Sequence, residues 1–184
     1  FHDDLLAPTY IARLAAELDA DPQACVAFSD VLLTETQGGQ EFWSYPTLDG
    51  ERSAFIRGVR VLERRGKWWV PNRGLFRLSM ARQIGGLKKH GAGEFSADWP
   101  WVLHLALLGS FVRVPELLCH KFYKPGSLSR SWDFSQPQYF EVHAACMREI
   151  WNSSLGTQEK IALALPLMQW LERHRHLAMT PPST

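Results

Sequence analysis

Cys25-Val26-Ala27-Phe28-Ser29-Asp30-Val31-Leu32-Leu33 is nearly continuous in its apolar character, as a strand buried on both faces is. Such a strand belongs to a sheet with helices packed on it, and the flanking segments agree. Before it, Tyr10, Ile11, Leu14, Ala15 and Leu18 recur at helical spacing, so a helix is expected from Pro8 to Leu18. Pro8 suits its first turn, and Asp19-Ala20-Asp21-Pro22 stops it. After it, Thr36 to Asp49 is rich in Gly and polar residues and reads as a loop.

Farther along, Arg52 to Arg65 predicts an amphipathic helix closed by Gly66, and Trp68 to Arg77 an extended segment. Ser79 is placed as the cap of a short helix ending at Gly85-Gly86. Lys88 to Phe95 reads as a loop, and Trp99 to Leu108 as a helix ended by Gly109. Two extended pieces follow, Phe111 to Val114 and Leu117 to Tyr123, with a turn at Lys124-Pro125-Gly126-Ser127. Gln138 to Trp151 and Gln158 to His176 are helical in pattern, and Pro166 is expected to kink or split the second. Thr180 to Thr184 is expected to be disordered. The class is α/β with a helical C-terminal third.

The chain has 184 residues, enough for one domain with a substantial core. A net charge of +1 with scattered basic residues argues against nucleic acid as a partner, and Lys88-Lys89-His90 is a solvated run. Three separated cysteines, Cys25, Cys119 and Cys146, fit buried, reduced thiols. No segment reaches the roughly 20 apolar residues of a membrane span. Eight tryptophans suit either a large core or the aromatic walls of a sugar or nucleotide site.

Two acidic junctions carry the candidate chemistry. Asp3 and Asp4 lie where an apolar run passes into a helix, at the carboxyl edge where ligands bind in open α/β sheets. Carboxylates there suit Mg²⁺ or Mn²⁺, and helix capping by Asp4 is the structural alternative. Asp98, beside the expected cap Ser96, is either an ordinary first-turn acid or a general base made more basic by Trp99 and Trp101. Arg73 and Arg77 flank Gly74, where a backbone can approach a ligand closely, and both suit phosphate or structural ion pairs. Lys121, Lys124 and Ser127 are within reach of an anionic group or simply solvated. His104, on an apolar helix face, is expected in the core, and His174 and His176 at the surface. No nucleophile elbow, phosphate-binding Gly loop or zinc spacing is present, which argues against those enzyme classes.

Taken in order, these segments resemble family 2 glycosyltransferases, whose fold is called GT-A. His2-Asp3-Asp4-Leu5-Leu6-Ala7-Pro8-Thr9-Tyr10-Ile11 is similar to the stretch that follows the family's metal-binding strand. Leu18 to Pro22 with Ala27-Phe28-Ser29-Asp30 resembles the next helix end and strand, and Arg73-Gly74-Leu75-Phe76-Arg77 with Ile84-Gly85-Gly86 the middle segment. Ala97-Asp98-Trp99 with Leu105-Ala106-Leu107-Leu108-Gly109 is similar to the helix that carries the catalytic base. Tyr123-Lys124-Pro125-Gly126-Ser127-Leu128-Ser129 resembles the closing segment. Three positions depart from the pattern: Phe1 replaces the first metal-motif Asp, Ala97 the Glu before the base, and Lys124 a frequent His.

The resemblance implies the C-terminal part of a GT-A (Rossmann-like) domain over residues 1–130, with a helical extension over 131–184. The nucleotide-binding half would precede it, so the isolated fragment is expected to be inactive and its sheet to expose an edge. The implied activity is inverting transfer from a nucleoside-diphosphate sugar to a hydroxyl of a glycan or other acceptor. Asp98 is then the base, Asp3 and Asp4 hold Mg²⁺ or Mn²⁺, Lys124 and Arg77 meet residual diphosphate charge, and Arg73 and Ser127 are further substrate-binding candidates. Trp99 and Trp101 form a wall for a sugar ring. A cytoplasmic location near a membrane-bound acceptor follows from the family. Two alternatives stand beside it: a sugar- or partner-binding module without catalysis, and an interaction domain with an apolar face on residues 138–176.

Overall fold

The structure, a computed structural model, describes residues 4–123, 126, 129 and 131–177. Its elements in chain order are β1 (Leu5–Leu6), α1 (Tyr10–Ala20), β2 (Ala24–Thr34), β3 (Gln40–Trp43), α2 (Ala54–Leu62), β4 (Leu75–Phe76), α3 (Leu78–Ile84), α4 (Asp98–Leu108), β5 (Ser110–Phe122), α5 (Gln136–Asn152) and α6 (Thr157–Arg173). The tail from residue 178 lies outside the described residues, and so does its expected disorder.

β2 is the strand expected from its apolar run. All eight residues from Ala24 to Val31 are buried, which requires cover on both faces. It pairs in parallel with β5 from Ala24↔Ser110 to Thr34↔Phe122. Its other edge takes two antiparallel partners, β4 at Val26↔Phe76 and β3 at Val31↔Trp43. β1 pairs antiparallel with the far end of β5, Leu5↔His120 and Leu6↔Cys119, and forms the exposed edge of the sheet. Leu5 and Leu6 face solvent there.

Three expectations for the strands change, the first being Trp68 to Arg77, where a 3₁₀ turn over Val70–Arg73 leaves only β4 extended. The Gly-rich loop contains β3, which forms because its backbone completes the end of β2 that β4 does not reach. The two extended pieces at 111–114 and 117–123 are one strand, β5. The register shifts between Ser29↔Val114 and Asp30↔Leu117, and Pro115, which has no N–H to give to a ladder, sits in that irregularity. Across the pair, Arg113 donates to both carboxylate oxygens of buried Asp30 at 2.8 and 2.6 Å.

The helices follow the sequence closely. α1 buries Tyr10, Leu14 and Leu18. The cap of α3 is Arg77 rather than Ser79, and Gly85 closes it at φ 82°. α4 is buried from Trp99 to Leu107, all around its circumference, so it is an interior helix. α5 packs on α4, and α6 on α5 and α2. Val142, Cys146, Ile150, Leu163 and Leu167 of these two helices join the same core as β2 and α4. Pro166 sits inside α6, which continues through it as a single helix. Ile161, Leu165 and Met168 leave an apolar strip exposed on α6. The three cysteines are buried and free.

His104 is a core residue, bonded to buried Glu149. His174 is not simply at the surface: its ring stacks on Trp170 at 4.1 Å, and His143 of α5 stacks on the same indole at 4.0 Å. Burial pushes His143 down to about 4, the Arg64 and His174 charges add to that, and its bond to the Tyr139 carbonyl opposes it. The folded value lies below the unfolded one, about 6.5. The unfolded chain therefore takes up a proton first, and stability falls as pH drops from about 6.5 to about 4. We expect a loss of about 2 kcal/mol across that window after allowance for partial solvent screening, and a smaller loss in His143→Phe. Urea midpoints at pH 7 and pH 4.5 measure the difference.

Gly74 is the place where β4 meets β2. Its φ of −77° suits any residue, but an added Cβ would lie 2.4 Å from the Ala27 carbonyl oxygen and 2.9 Å from Val26 Cγ1. The close approach expected at this glycine is therefore made by the protein's own strand. Gly74→Ala should destabilise the fold by about 2 kcal/mol, read from urea unfolding, because backbone on both sides must move apart.

Candidate functional site

Asp4 enters β1 with its carboxylate almost fully covered, the side chain 1% exposed. Oδ2 accepts from Arg73 Nε at 3.0 Å, and Oδ1 lies 3.8 Å from Lys121 Nζ at the end of β5. Oδ1 has no hydrogen bond among the described residues. Arg73 ends a 3₁₀ turn over Val70–Arg73, and the Tyr10 hydroxyl of α1 donates to its carbonyl oxygen. Four separate segments thus meet on one buried ion pair.

Arg73 also links the two acidic junctions. Burial raises the Asp98 carboxyl above the ordinary Asp range. Hydrogen bonds from the first backbone N–H groups of α4 and the charges of Arg73 and Arg64 act against that rise. Asp98 is the first residue of α4; Ala97 occupies the cap, and Ser96 turns the chain at φ 46°. A partly buried carboxylate with a raised proton affinity, beside two cations, is suited to accept a proton from a hydroxyl.

Around this pair lies a cluster of rings and cations. Trp43 makes edge contacts with Trp69 at 5.6 Å and Tyr123 at 6.3 Å. Lys67 Nζ stands 5.3 Å from the Trp43 ring and is ion-paired with Glu41, Arg73 lies 5.9 Å over Trp43, and Lys121 lies 5.2 Å from Tyr123. Trp43 and Arg64 were not candidates from sequence. Trp43 falls in a stretch that reads as a loop, and Arg64 at the end of the amphipathic helix expected from Arg52 to Arg65.

Other expected site residues are placed elsewhere. Arg77 donates to the carbonyls of Ala24, Leu18 and Asp21 at 3.0, 2.5 and 3.2 Å. Those acceptors occupy its guanidinium, which joins the end of α1 to the start of β2 rather than reaching the acidic pair. Trp99 is 1% exposed, gives its indole N–H to the Val61 carbonyl at 3.1 Å and packs on Trp68. Trp101 is 8% exposed and packs on Phe76. Both are walls of the core, because α4 is covered on all sides. Asp3, Lys124 and Ser127 lie outside the described residues.

Mg²⁺ or Mn²⁺ requires several hard oxygen donors around one point. Among the described residues, no three His, Cys, Asp or Glu side chains gather as metal ligands. Asp4 is already matched by two cations and shielded from solvent, so it does not fit a divalent ion; a metal would have to displace Arg73.

No family model matches the chain, and no curated protein matches its sequence. Its structure is similar to that of S. aureus TarS 1–349, solved in complex with UDP-GlcNAc. The TM-score is 0.57 and the identity 13%, over 97% of this chain and 47% of that one. The likeness shows the fold. It is the mixed α/β, Rossmann-like class expected from the sequence. The chain spans about half the length of the TarS chain it matches. Among the described residues, no helix is long and apolar enough to cross a membrane.

Neutralising Asp4 leaves Arg73, whose side chain is 10% exposed, without its carboxylate. Asp4→Asn should therefore cost about 3 kcal/mol of stability. Lys121→Met, which removes only the more distant cation, should cost less than about 1 kcal/mol. Urea unfolding of the two variants orders them.

Proposed function

We propose that this chain is the acceptor-side half of an inverting glycosyltransferase, moving a sugar from a nucleoside-diphosphate sugar to an acceptor hydroxyl. The observation that carries the reading is Arg73, ion-paired with Asp4 at 3.0 Å while its charge also favours the Asp98 carboxylate, so that one cation acts on both acidic segments. A fold shared with a protein that holds UDP-GlcNAc supports the same reading and makes UDP-GlcNAc the first donor to try.

In this proposal Asp98 takes the proton of the acceptor hydroxyl as that oxygen attacks the anomeric carbon. The new carbon–oxygen bond forms on the face opposite the leaving group. The bond from the anomeric carbon to the diphosphate oxygen breaks, and its electron pair leaves with the diphosphate. The raised proton affinity that burial gives Asp98 makes it a better base than an exposed Asp. Arg73 and Lys121 supply positive charge on the leaving-group side. Lys124 and Ser127 enter by resemblance alone. Mg²⁺ or Mn²⁺ enters only through Asp3, and no step here is routed through it.

A second reading, a sugar-binding module without transfer, is favoured by the closure of Asp4 onto Arg73 and by Ala97 at the cap of α4. Transfer from UDP-GlcNAc by the full-length protein separates the two. We expect Asp98→Asn to lower kcat by about 10²–10⁴-fold, with the melting temperature retained. Transfer at the wild-type rate by that variant would remove Asp98 as the base. Binding of the donor with no turnover in the wild type would favour the module.

A further inference from the structure

Arg64 follows the end of α2 and turns the chain at φ 52°, a left-handed conformation that costs a non-glycine residue on the order of 1 kcal/mol or more. Gly66, two residues on, takes the same conformation without that cost, at φ 63°. The strained residue is an arginine, and its side chain is held in place. Its guanidinium carbon lies 4.5 Å from the Trp99 ring, 5.5 Å from Trp68 and 5.5 Å from Tyr139. Cation–π contacts of this kind fix a charge without neutralising it.

The flanking charges do not serve Arg64. Glu63 and Arg65 pair with each other at 3.7 Å, and among the described residues no carboxylate lies within ion-pair distance of Arg64. Arg73, the other cation acting on Asp98, already has Asp4 in contact. The groups that feel the Arg64 charge are Asp98 at the start of α4, and His143 and Cys146 on α5. Neither of those α5 groups offers a counter-charge at neutral pH, because a histidine carries no negative charge and burial keeps the Cys146 thiol protonated.

We propose that Arg64 is a positioning residue for the base, a charge held over the ring of Trp99, the residue next to Asp98, that favours the proton-accepting form of the carboxylate. This rests on the reading of Asp98 as the base. The geometry answers a specific difficulty of that reading. Burial that strengthens a base also threatens to protonate it before substrate binds. A direct ion pair would restore the charge but block the proton-accepting oxygens. A guanidinium seated on the Trp99 ring opposes that protonation without a direct ion pair to Asp98.

The test uses the full-length protein, wild type, Arg64→Met and Arg64→Lys, with ¹³C-labelled Asp carboxyls followed by NMR against pH. We expect the Asp98 titration midpoint to rise by about one pH unit in Arg64→Met and to return close to wild type in Arg64→Lys. The acid limb of kcat/KM for transfer from UDP-GlcNAc should move by the same amount. A midpoint that stays put in Arg64→Met, even with a lowered melting temperature, would mean a purely structural role and overturn the proposal. A midpoint that moves while Asp98→Asn transfers normally would keep the electrostatic coupling, overturn the base reading and remove the catalytic role assigned to Arg64.

Discussion

The parallel pairing of β2 with β5 constrains everything else in this chain. Parallel neighbours cannot be joined by a tight turn, so the chain must leave the end of β2 at Thr34 and return to the start of β5 at Ser110. That long excursion carries β3, α2, the turn that ends in Arg73, β4, α3 and α4. Once the ladder is set, β3 and β4 divide the remaining edge of β2 between them. The candidate site therefore belongs to the crossover as much as to the sheet. Arg64, Arg73 and Asp98 all come from it, while Lys121 arrives at the end of β5 and Asp4 on the strand that pairs there.

Electrostatics within the site follow from where each cation finds its counter-charge. Arg113 is paired with Asp30 and Arg77 is hydrogen-bonded to three carbonyls, so both act as fasteners between elements. Arg73 is shared, paired with Asp4 but still felt at Asp98. Arg64 rests on aromatic faces and retains its charge. The same residue type thus performs three functions in one fold, separated by the acceptors within reach rather than by the side chain.

The α/β class, the buried strand and the α-helices were legible in the sequence, most from periodicity and α3 and α4 from the glycines that end them, because burial on one face or two and a chain stop both leave a direct pattern. The acidic junctions and Arg73 were legible as candidates too. Partnership was not. Arg73 and Arg77 stand symmetrically about Gly74, and only the fold separates the one beside Asp4 from the one among the carbonyls of α1 and β2. Trp99 and Trp101 look like a sugar platform beside an acid, but a helix buried on every side turns them into the core. β3 was hidden for the opposite reason. Its residues are mostly exposed, so no apolar pattern marks them, and it exists because β2 has an unpaired edge.

The helical C-terminal third is best understood through α4. A helix apolar on all sides cannot sit at a surface, and the sheet covers only part of it. α2 and α5 cover more, and α6 packs behind both of them. Trp99 shows the consequence for the site. Its ring meets Trp68 and Arg64 near the end of α2, and His143 on α5, while its neighbour Asp98 opens toward Arg73. Removing α5 and α6 would take Val142, Cys146 and Ile150 out of the core and uncover the indole that seats Arg64. The extension therefore belongs to the same core as the sheet. Its contribution to the site is to keep the back of α4 dry, the condition under which a carboxylate at the front becomes a stronger base.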